Sequence, residues 1–371
     1  DPTGLPGTPT NGQHGTHTAG IAAAVTNNAT GVAGTSWNAK LMPINAGSPT
    51  TDQAIAYGYE GILYAGENGA DVINCSWGGL GSPSIFEQEV IDHVWQLGSA
   101  VVGAAGNNNS GLPHYPSAYR HVLSVANVSN FDVRNTTSNH GPTVDVSAPG
   151  TNIYSTIPGG YGLMTGTSMS SPHVAGLCAL VKTRWPGYTA DQVMERVRVT
   201  SDNIDMVNPA YAGMLGYGRI NAEAALLKNT PALRITELQF TETDGDGIIE
   251  PGETVQLTPV VTNFLASCTG ITIKLRETSS WAAVADSVVQ LGGLDSLTSA
   301  TLPPLSLVVA AGAPIQTVLG CMLQIAATSP AYTDRDRFEL TVLPTYVNHD
   351  VGNVKTSVTS VGKLGFSVAA G

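Results

Sequence analysis

A doubly wound, mostly parallel α/β sheet followed by an antiparallel β-sandwich is the architecture this sequence predicts. Two observations point to it. Up to residue 228, short β-branched runs alternate with longer helical patterns, as parallel strands joined by crossover helices require. After Asn229-Thr230-Pro231 the helical patterns stop, and short apolar or alternating runs follow, separated by Gly, Pro, Ser and Asp.

Taken in order, the first elements are a compact helix over Ala19 to Val25, a short buried strand at Leu41 to Asn45 and a helix from Thr51 to Asn68. A strand at Asp71 to Cys75, a helix from Ser84 to Leu97 and a strand at Ala100 to Ala104 continue the alternation. Ser168 opens an apolar helix through Leu177 and Val181, with Pro172 in the first turn, where its missing N–H costs nothing. Thr189-Ala190-Asp191-Gln192 is a capping-box pattern ahead of Val193, Met194 and Val197, and Tyr217 to Leu227 supplies the last helix. Strands are then expected at Leu233 to Phe240, Thr254 to Asn263, Ile271 to Thr278, Val284 to Leu291, Leu305 to Val309, Val318 to Ala326 and Phe338 to Leu343. The domains so defined are residues 1–230 and 231–343, with 344–371 beginning a further, incomplete unit.

Three segments carry chemistry. Gly166-Thr167-Ser168-Met169-Ser170 places a hydroxyl at a helix N-terminus, where unpaired N–H groups and the macrodipole favour developing negative charge. His14-Gly15-Thr16-His17 opens another helix and supplies a base with a pKa near neutrality, which a serine nucleophile needs. Val101-Val102-Gly103-Ala104-Ala105-Gly106-Asn107 ends in a carboxamide, an uncharged donor for an oxyanion. Each segment alone also fits a helix cap or a turn; the three in this order favour catalysis. In an open α/β sheet they meet at the carboxyl edge of the strands.

With Asn74-Cys75-Ser76-Trp77-Gly78-Gly79, Val144 to Gly150 and Gly218-Arg219-Ile220-Asn221-Ala222, these segments make residues 1 to about 228 resemble the subtilisin-like serine proteases. The resemblance implies a subtilisin-like fold and a secreted peptidase. It makes His14 the general base, Ser168 the nucleophile and Asn107 an oxyanion donor beside the Ser168 N–H. It also implies a polypeptide substrate laid as a strand along Ser76, Trp77 and Gly78. The side chain before the scissile bond then enters a broad, apolar slot walled by Ala104, Ala105 and Gly106. The second part resembles the immunoglobulin-like accessory domains that follow secreted peptidases.

One departure concerns the triad acid, which the family carries on a strand well upstream of the histidine in an Asp-Ser/Thr-Gly context. Asp1-Pro2-Thr3-Gly4 does not match, because Pro2 intrudes and no apolar strand precedes it. Residues 1–13 read as the loop just before the histidine, so the acid is expected to be missing and this chain to have low or no activity. Asp145, His17 and His173 are read as structural.

No catalytic cofactor is expected; structural Ca²⁺ is the candidate, with a solvated acidic hairpin turn as the alternative reading of the same residues. Asp244, Asp246, Glu250 and Glu253 set four carboxylates along a glycine-rich turn, although the spacing departs from an EF-hand. Thr26 to Val32 resembles the family's calcium loop, whose other ligands lie upstream. Cys75 and Cys178 read as small core residues, and Cys268 with Cys321 as a candidate disulfide.

A net charge of −12 argues against nucleic acid, and no apolar run reaches membrane-spanning length. Nothing in the sequence specifies an oligomeric state. Two other functions fit parts of the pattern: a peptide-binding module that keeps the fold without turnover, and an α/β-hydrolase esterase. The second is disfavoured because His14 precedes Ser168 and the nucleophile elbow lacks its second glycine.

Overall fold

The computed structural model describes residues 12–48, 54–277 and 279–343, together with strands at Val354–Val358 and Leu364–Val368. The chain divides into two compact units, Asp1–Lys228 and Asn229–Gly371.

The helices of the first unit are α1 Gln13–Ala23, α2 Gly58–Glu67, α3 Ile85–Gln96, α4 Thr167–Arg184, α5 Ala190–Val199 and α6 Ala222–Leu227. Its strands are β1 Val72–Cys75, β2 Gly79–Leu80, β3 Ala100–Ala104, β4 His114–Tyr115, β5 Val122–Val128, β6 Val146–Pro149, β7 Ile153–Ile157 and β8 Gly160–Met164. β1, β3, β5 and β6 lie side by side in that order, all parallel. Along β3 the side chains alternate between two cores. Val101 joins Ile62, Val90, Ile91 and Val94 from α2 and α3, whereas Ala100 and Val102 join Val174, Leu177, Val193 and Val197 from α4 and α5. Helices on both faces explain why β3 and β5 are buried throughout. Each fully buried valine there contributes roughly 2 kcal/mol.

α4 is the central helix, packing against all four parallel strands and against α1, α5 and α6. Surrounded in this way, it has no polar face along most of its length. α1 reaches α4 and the β7–β8 hairpin because small residues permit close approach. A Cβ on Gly20 would stand 2.2 Å from Thr156 Oγ1, and one on Gly176 would stand 2.9 Å from the Ala22 carbonyl.

The second unit contains β9 Leu233–Thr241, β10 Thr254–Asn263, β11 Cys268–Glu277, β12 Ala282–Asp286, β13 Val288–Leu294, β14 Thr298–Thr301, β15 Leu305–Val309, β16 Val318–Ala327 and β17 Tyr332–Thr341, then β18 Val354–Val358 and β19 Leu364–Val368. β12, β15, β10 and β14 form one antiparallel sheet in that order, with β9 also paired to β10; β13, β11, β16 and β17 form another. Strict alternation along β10 buries Val255, Leu257 and Val261, while β11 buries Ile271, Ile273 and Leu275. β18 and β19 pair as a hairpin.

Several local expectations are corrected. Leu41 to Asn45 is not a strand: Leu41 and Met42 are exposed and pair with no strand among the described residues. The helix expected from Thr51 begins at Gly58, because Ala56 and Tyr57 turn back to bond the Ala46 carbonyl; residues 49–53 lie outside the described residues. The last helix starts at Ala222, since Gly218 has φ 135° and Arg219 bridges to Ser147 and Asp202. β14 was missed because Thr-Ser-Ala-Thr is polar and mostly exposed. The proposed start of a further unit, 344–371, lies outside the described residues apart from its two strands.

The disulfide is also overturned, since Cys268 and Cys321 are both free and buried. Cys321 registers with Glu277 at one end of β11, while Cys268 begins the other end. At about 3.3 Å per residue that is roughly 30 Å, far beyond bridging distance.

Candidate active site

Three strand ends converge on the first turn of α4. From β6, the Gly150 carbonyl accepts from Gly166 N–H at 2.9 Å, and Ala148 accepts from Ser170 Oγ at 3.0 Å. From beyond β3, Asn107 Oδ1 accepts from Thr167 N–H at 2.9 Å and from Thr167 Oγ1 at 3.2 Å, while Thr167 Oγ1 accepts from Gly106 N–H at 3.2 Å. From beyond β1, Ser76 and Ser168 hold each other reciprocally. Ser76 Oγ donates to the Ser168 carbonyl at 2.8 Å, and Ser168 Oγ donates to the Ser76 carbonyl at 3.1 Å. Asn74 extends this link, its Nδ2 donating to Ser76 Oγ at 2.9 Å while its Oδ1 accepts from Ser171.

Ser168 is the second residue of α4, following the N-cap Gly166, which has no side-chain capping bond. Its N–H therefore has no acceptor among the described residues and points out of the helix end with the positive dipole behind it. Asn107 is exposed. Because a backbone N–H can only donate, the atom facing Thr167 must be the carboxamide oxygen, which leaves Nδ2 as the outward donor.

His14 stands in the first turn of α1 and is exposed. Its imidazole is nevertheless held below the ordinary histidine value of 6.5, first by desolvation from surrounding protein and then by His17. α1 packs directly on α4: Ala22 lies against Gly176, and His17 lowers the pKa of His173 after the larger effect of burial. No hydrogen bond joins His14 to Ser168 among the described residues; the hydroxyl is held by Ser76 instead. No carboxylate among them pairs with His14 either, and residues 1–11, including Asp1, lie outside the described residues.

The segments expected to flank a substrate, Ser76 to Gly78 and Ala104 to Gly106, face each other. The slot expected between them to be broad and apolar contains the buried imidazole of His114. Thr167, Asn74, Ser171 and His114 are the residues that sequence reasoning missed. Thr167 stood in plain view beside Ser168, whereas nothing in Asn108 to His114 marked the last.

The other histidines and Asp145 are tied into structure. His17 is fully buried, with Nε2 3.0 Å from the Ile153 carbonyl and 3.1 Å from that of Gly162. His173 Nδ1 bonds the Met169 carbonyl at 3.0 Å, one turn back on its own helix. Asp145 Oδ2 accepts from Ser124 N–H at 2.9 Å.

Comparison with known proteins settles the lineage of this arrangement. The model of the Subtilase family matches residues 3–218, more than half of the chain. The chain belongs to the subtilase family. It is 42% identical to thermitase of Thermoactinomyces vulgaris over 226 residues, covering 59% of this chain and 77% of thermitase. It is 41% identical to a thermophilic serine proteinase of Bacillus sp. strain AK1 over 214 residues, covering 57% of this chain and about half, 52%, of that protein. Among solved structures, a protease from Pseudoalteromonas arctica PAMC 21717 is 36% identical with a TM-score of 0.53, covering 57% of this chain and 70% of the other.

In the second unit of this subtilase, the acidic turn gathers differently from expectation. Asp244 and Asp246 come together with Glu242, their ligand atoms all within 4.8 Å of one another, rather than with Glu250 and Glu253. Glu253 is occupied in accepting the Glu250 N–H at 2.8 Å. Glu242 accepts from Gly245 and Gly247 N–H groups at 2.5 Å each, and these bonds, that of Gly247 foremost, lower its carboxyl pKa. In the first unit, the Thr26 to Val32 loop presents no carboxylate, and Asn28 Oδ1 accepts from Thr30 N–H at 3.1 Å.

Proposed function

We propose that this chain carries the peptide-hydrolysing centre of a serine endopeptidase acting through an acyl-enzyme. The observation that supports it is a serine hydroxyl and a carboxamide held at one helix end, with a helix whose first turn carries a histidine of lowered pKa packed against that same helix. His14 removes the Ser168 Oγ proton as that oxygen bonds to the scissile carbonyl carbon. The resulting oxyanion accepts from Ser168 N–H and Asn107 Nδ2. Collapse expels the amine, which takes its proton from His14, and water then repeats the sequence on the ester. For this Ser168 Oγ must turn from the Ser76 carbonyl toward His14, a tightening expected on substrate binding. An extended polypeptide lies along Ser76, Trp77 and Gly78 through main-chain hydrogen bonds. The test is cleavage of unfolded protein substrate by the chain and by Ser168→Ala, with turnover expected only in the former.

A second reading, peptide binding without turnover, is favoured by the Ser168–Ser76 bond and by the lack of a carboxylate on His14 among the described residues. Peptide affinity that is equal in both proteins, with no product from either, is the outcome it predicts.

The second unit is read as an immunoglobulin-like accessory module, on the strength of its two antiparallel sheets. Its Glu242, Asp244 and Asp246 supply the hard oxygen ligands a structural Ca²⁺ takes, and added calcium is expected to raise the melting temperature of the protein but not of Asp244→Asn/Asp246→Asn. We place the protein outside the cell, as befits an endopeptidase acting on unfolded chains. No helix among the described residues is long and apolar enough to cross a membrane.

A further inference from the structure

We infer that the imidazole of His114 plugs the slot between Gly78 and Gly106, so that the residue before the scissile bond must carry a short side chain such as that of glycine, alanine or serine. This rests on the endopeptidase reading, which makes those two segments the walls of the slot.

The ring spans the gap from wall to wall. A Cβ on Gly78 would meet His114 Cε1 at 2.5 Å and Nδ1 at 2.9 Å, and a Cβ on Gly106 would meet Cδ2 at 2.5 Å and Cγ at 2.9 Å. Those pairs are opposite edges of the imidazole, so each glycine lies directly against one side of it. Only a residue without a Cβ permits this approach, and both glycines also have positive φ, 156° and 99°. His114 is 7% exposed, so almost all of it is packed against protein.

The ring is anchored. Its Nδ1 is buried with no partner among the described residues, and the backbone of Ala104, on one wall, lies close enough to influence the ring's pKa. β4, which carries His114, pairs with β2 through Leu80, just beyond Gly78 on the other wall. Ser117 Oγ donates to the His114 carbonyl at 2.6 Å, fixing the backbone beneath. Burial also lowers the His114 pKa, which keeps the ring uncharged at neutral pH. A large side chain entering here must expel an imidazole held on both sides, whereas a methyl or hydroxymethyl group rests on it.

The test uses the full chain and a series of peptide p-nitroanilides, Ala-Ala-Pro-X, with X alanine, leucine or phenylalanine. The wild type is expected to favour alanine over phenylalanine by about tenfold or more in kcat/KM, the scale set by one well-fitted apolar pocket. His114→Gly is expected to reverse that order by opening the slot; His114→Ser serves if the glycine variant fails to fold. Calorimetric binding of the same tetrapeptides to Ser168→Ala reads the slot without chemistry. Phenylalanine accepted as well as alanine by the wild type, with Ser168 reactive, overturns the plug alone. Discrimination in binding without any turnover upholds the plug and overturns the catalytic reading. Failure of every peptide to bind or react overturns both.

Discussion

Asn107 is oriented by Thr167: its Oδ1 accepts the Thr167 N–H at 2.9 Å, one residue ahead of the serine. A helix that must leave its first N–H groups unpaired thereby spends one of them on aiming a carboxamide. The remaining donor, Nδ2, belongs to an exposed residue and makes no hydrogen bond among the described residues.

Removing that donor tests its role. Asn107→Ala is expected to lower kcat by about 100- to 1,000-fold with little change in KM, because the bond forms to the oxyanion and not to the ground state. Steady-state kinetics on one peptide substrate check this. A matched loss in KM alone points to substrate binding instead.

The state of His14 sets the acid limb of the pH profile. A base must be neutral to act, and desolvation by surrounding protein, aided by His17, holds His14 below 6.5. Activity in kcat/KM is therefore expected to be retained above 6.5 and lost only as the pH falls through the lowered value. A profile whose acid limb lies above 6.5 shows that another group controls the reaction.

The placement of α1 depends on Gly20. A Cβ there would lie 2.2 Å from Thr156 Oγ1 and 2.5 Å from Ser155 Oγ, the hydroxyls that donate to the Thr16 and His17 carbonyls at 2.8 and 2.9 Å. Gly20→Ala is expected to cost about 1–3 kcal/mol of overpacking and to shift the helix that carries His14, lowering kcat/KM. Gly15→Ala, with nothing within 4 Å of its Cβ among the described residues, is the control. Denaturant titrations and kinetics on both variants separate the site from the general effect of a methyl group.

The cysteines offer a chemical check on both units. All four are buried and free. Burial pushes Cys75 and Cys178 up to about 12 and Cys321 to about 11. A thiol reagent is expected to find none in the folded protein and all four in denaturant, without prior reduction. Two missing thiols in denaturant restore the Cys268–Cys321 bridge.

Much of this was legible in the residues because the governing physics is local. β-branched runs marked β1 and β3, and Thr189 and Gln192 marked the start of α5 through a capping box that is present in full, whereas Pro172, expected in the first turn, lies inside α4, which already begins at Thr167. What escaped depends on partners distant in sequence. Leu41 to Asn45 reads as a strand by propensity, yet a strand needs a neighbour. Glu242 stands outside the run of acidic residues and joins Asp244 and Asp246 only because the turn folds back. His114 follows a segment with no periodicity, and its position becomes meaningful only when two glycines from separate strand ends close on its ring. Likewise, the reciprocal bonds of Ser76 and Ser168 span 92 residues and leave no local trace.

The central claim is that Ser168 is a nucleophile served by His14. Labelling the full chain with a fluorophosphonate probe and mapping the adduct by mass spectrometry tests it most directly. A single adduct on Ser168, abolished in Ser168→Ala and slowed in His14→Ala, is the predicted result. Absence of label at Ser168, or labelling that proceeds equally fast without the imidazole, contradicts it.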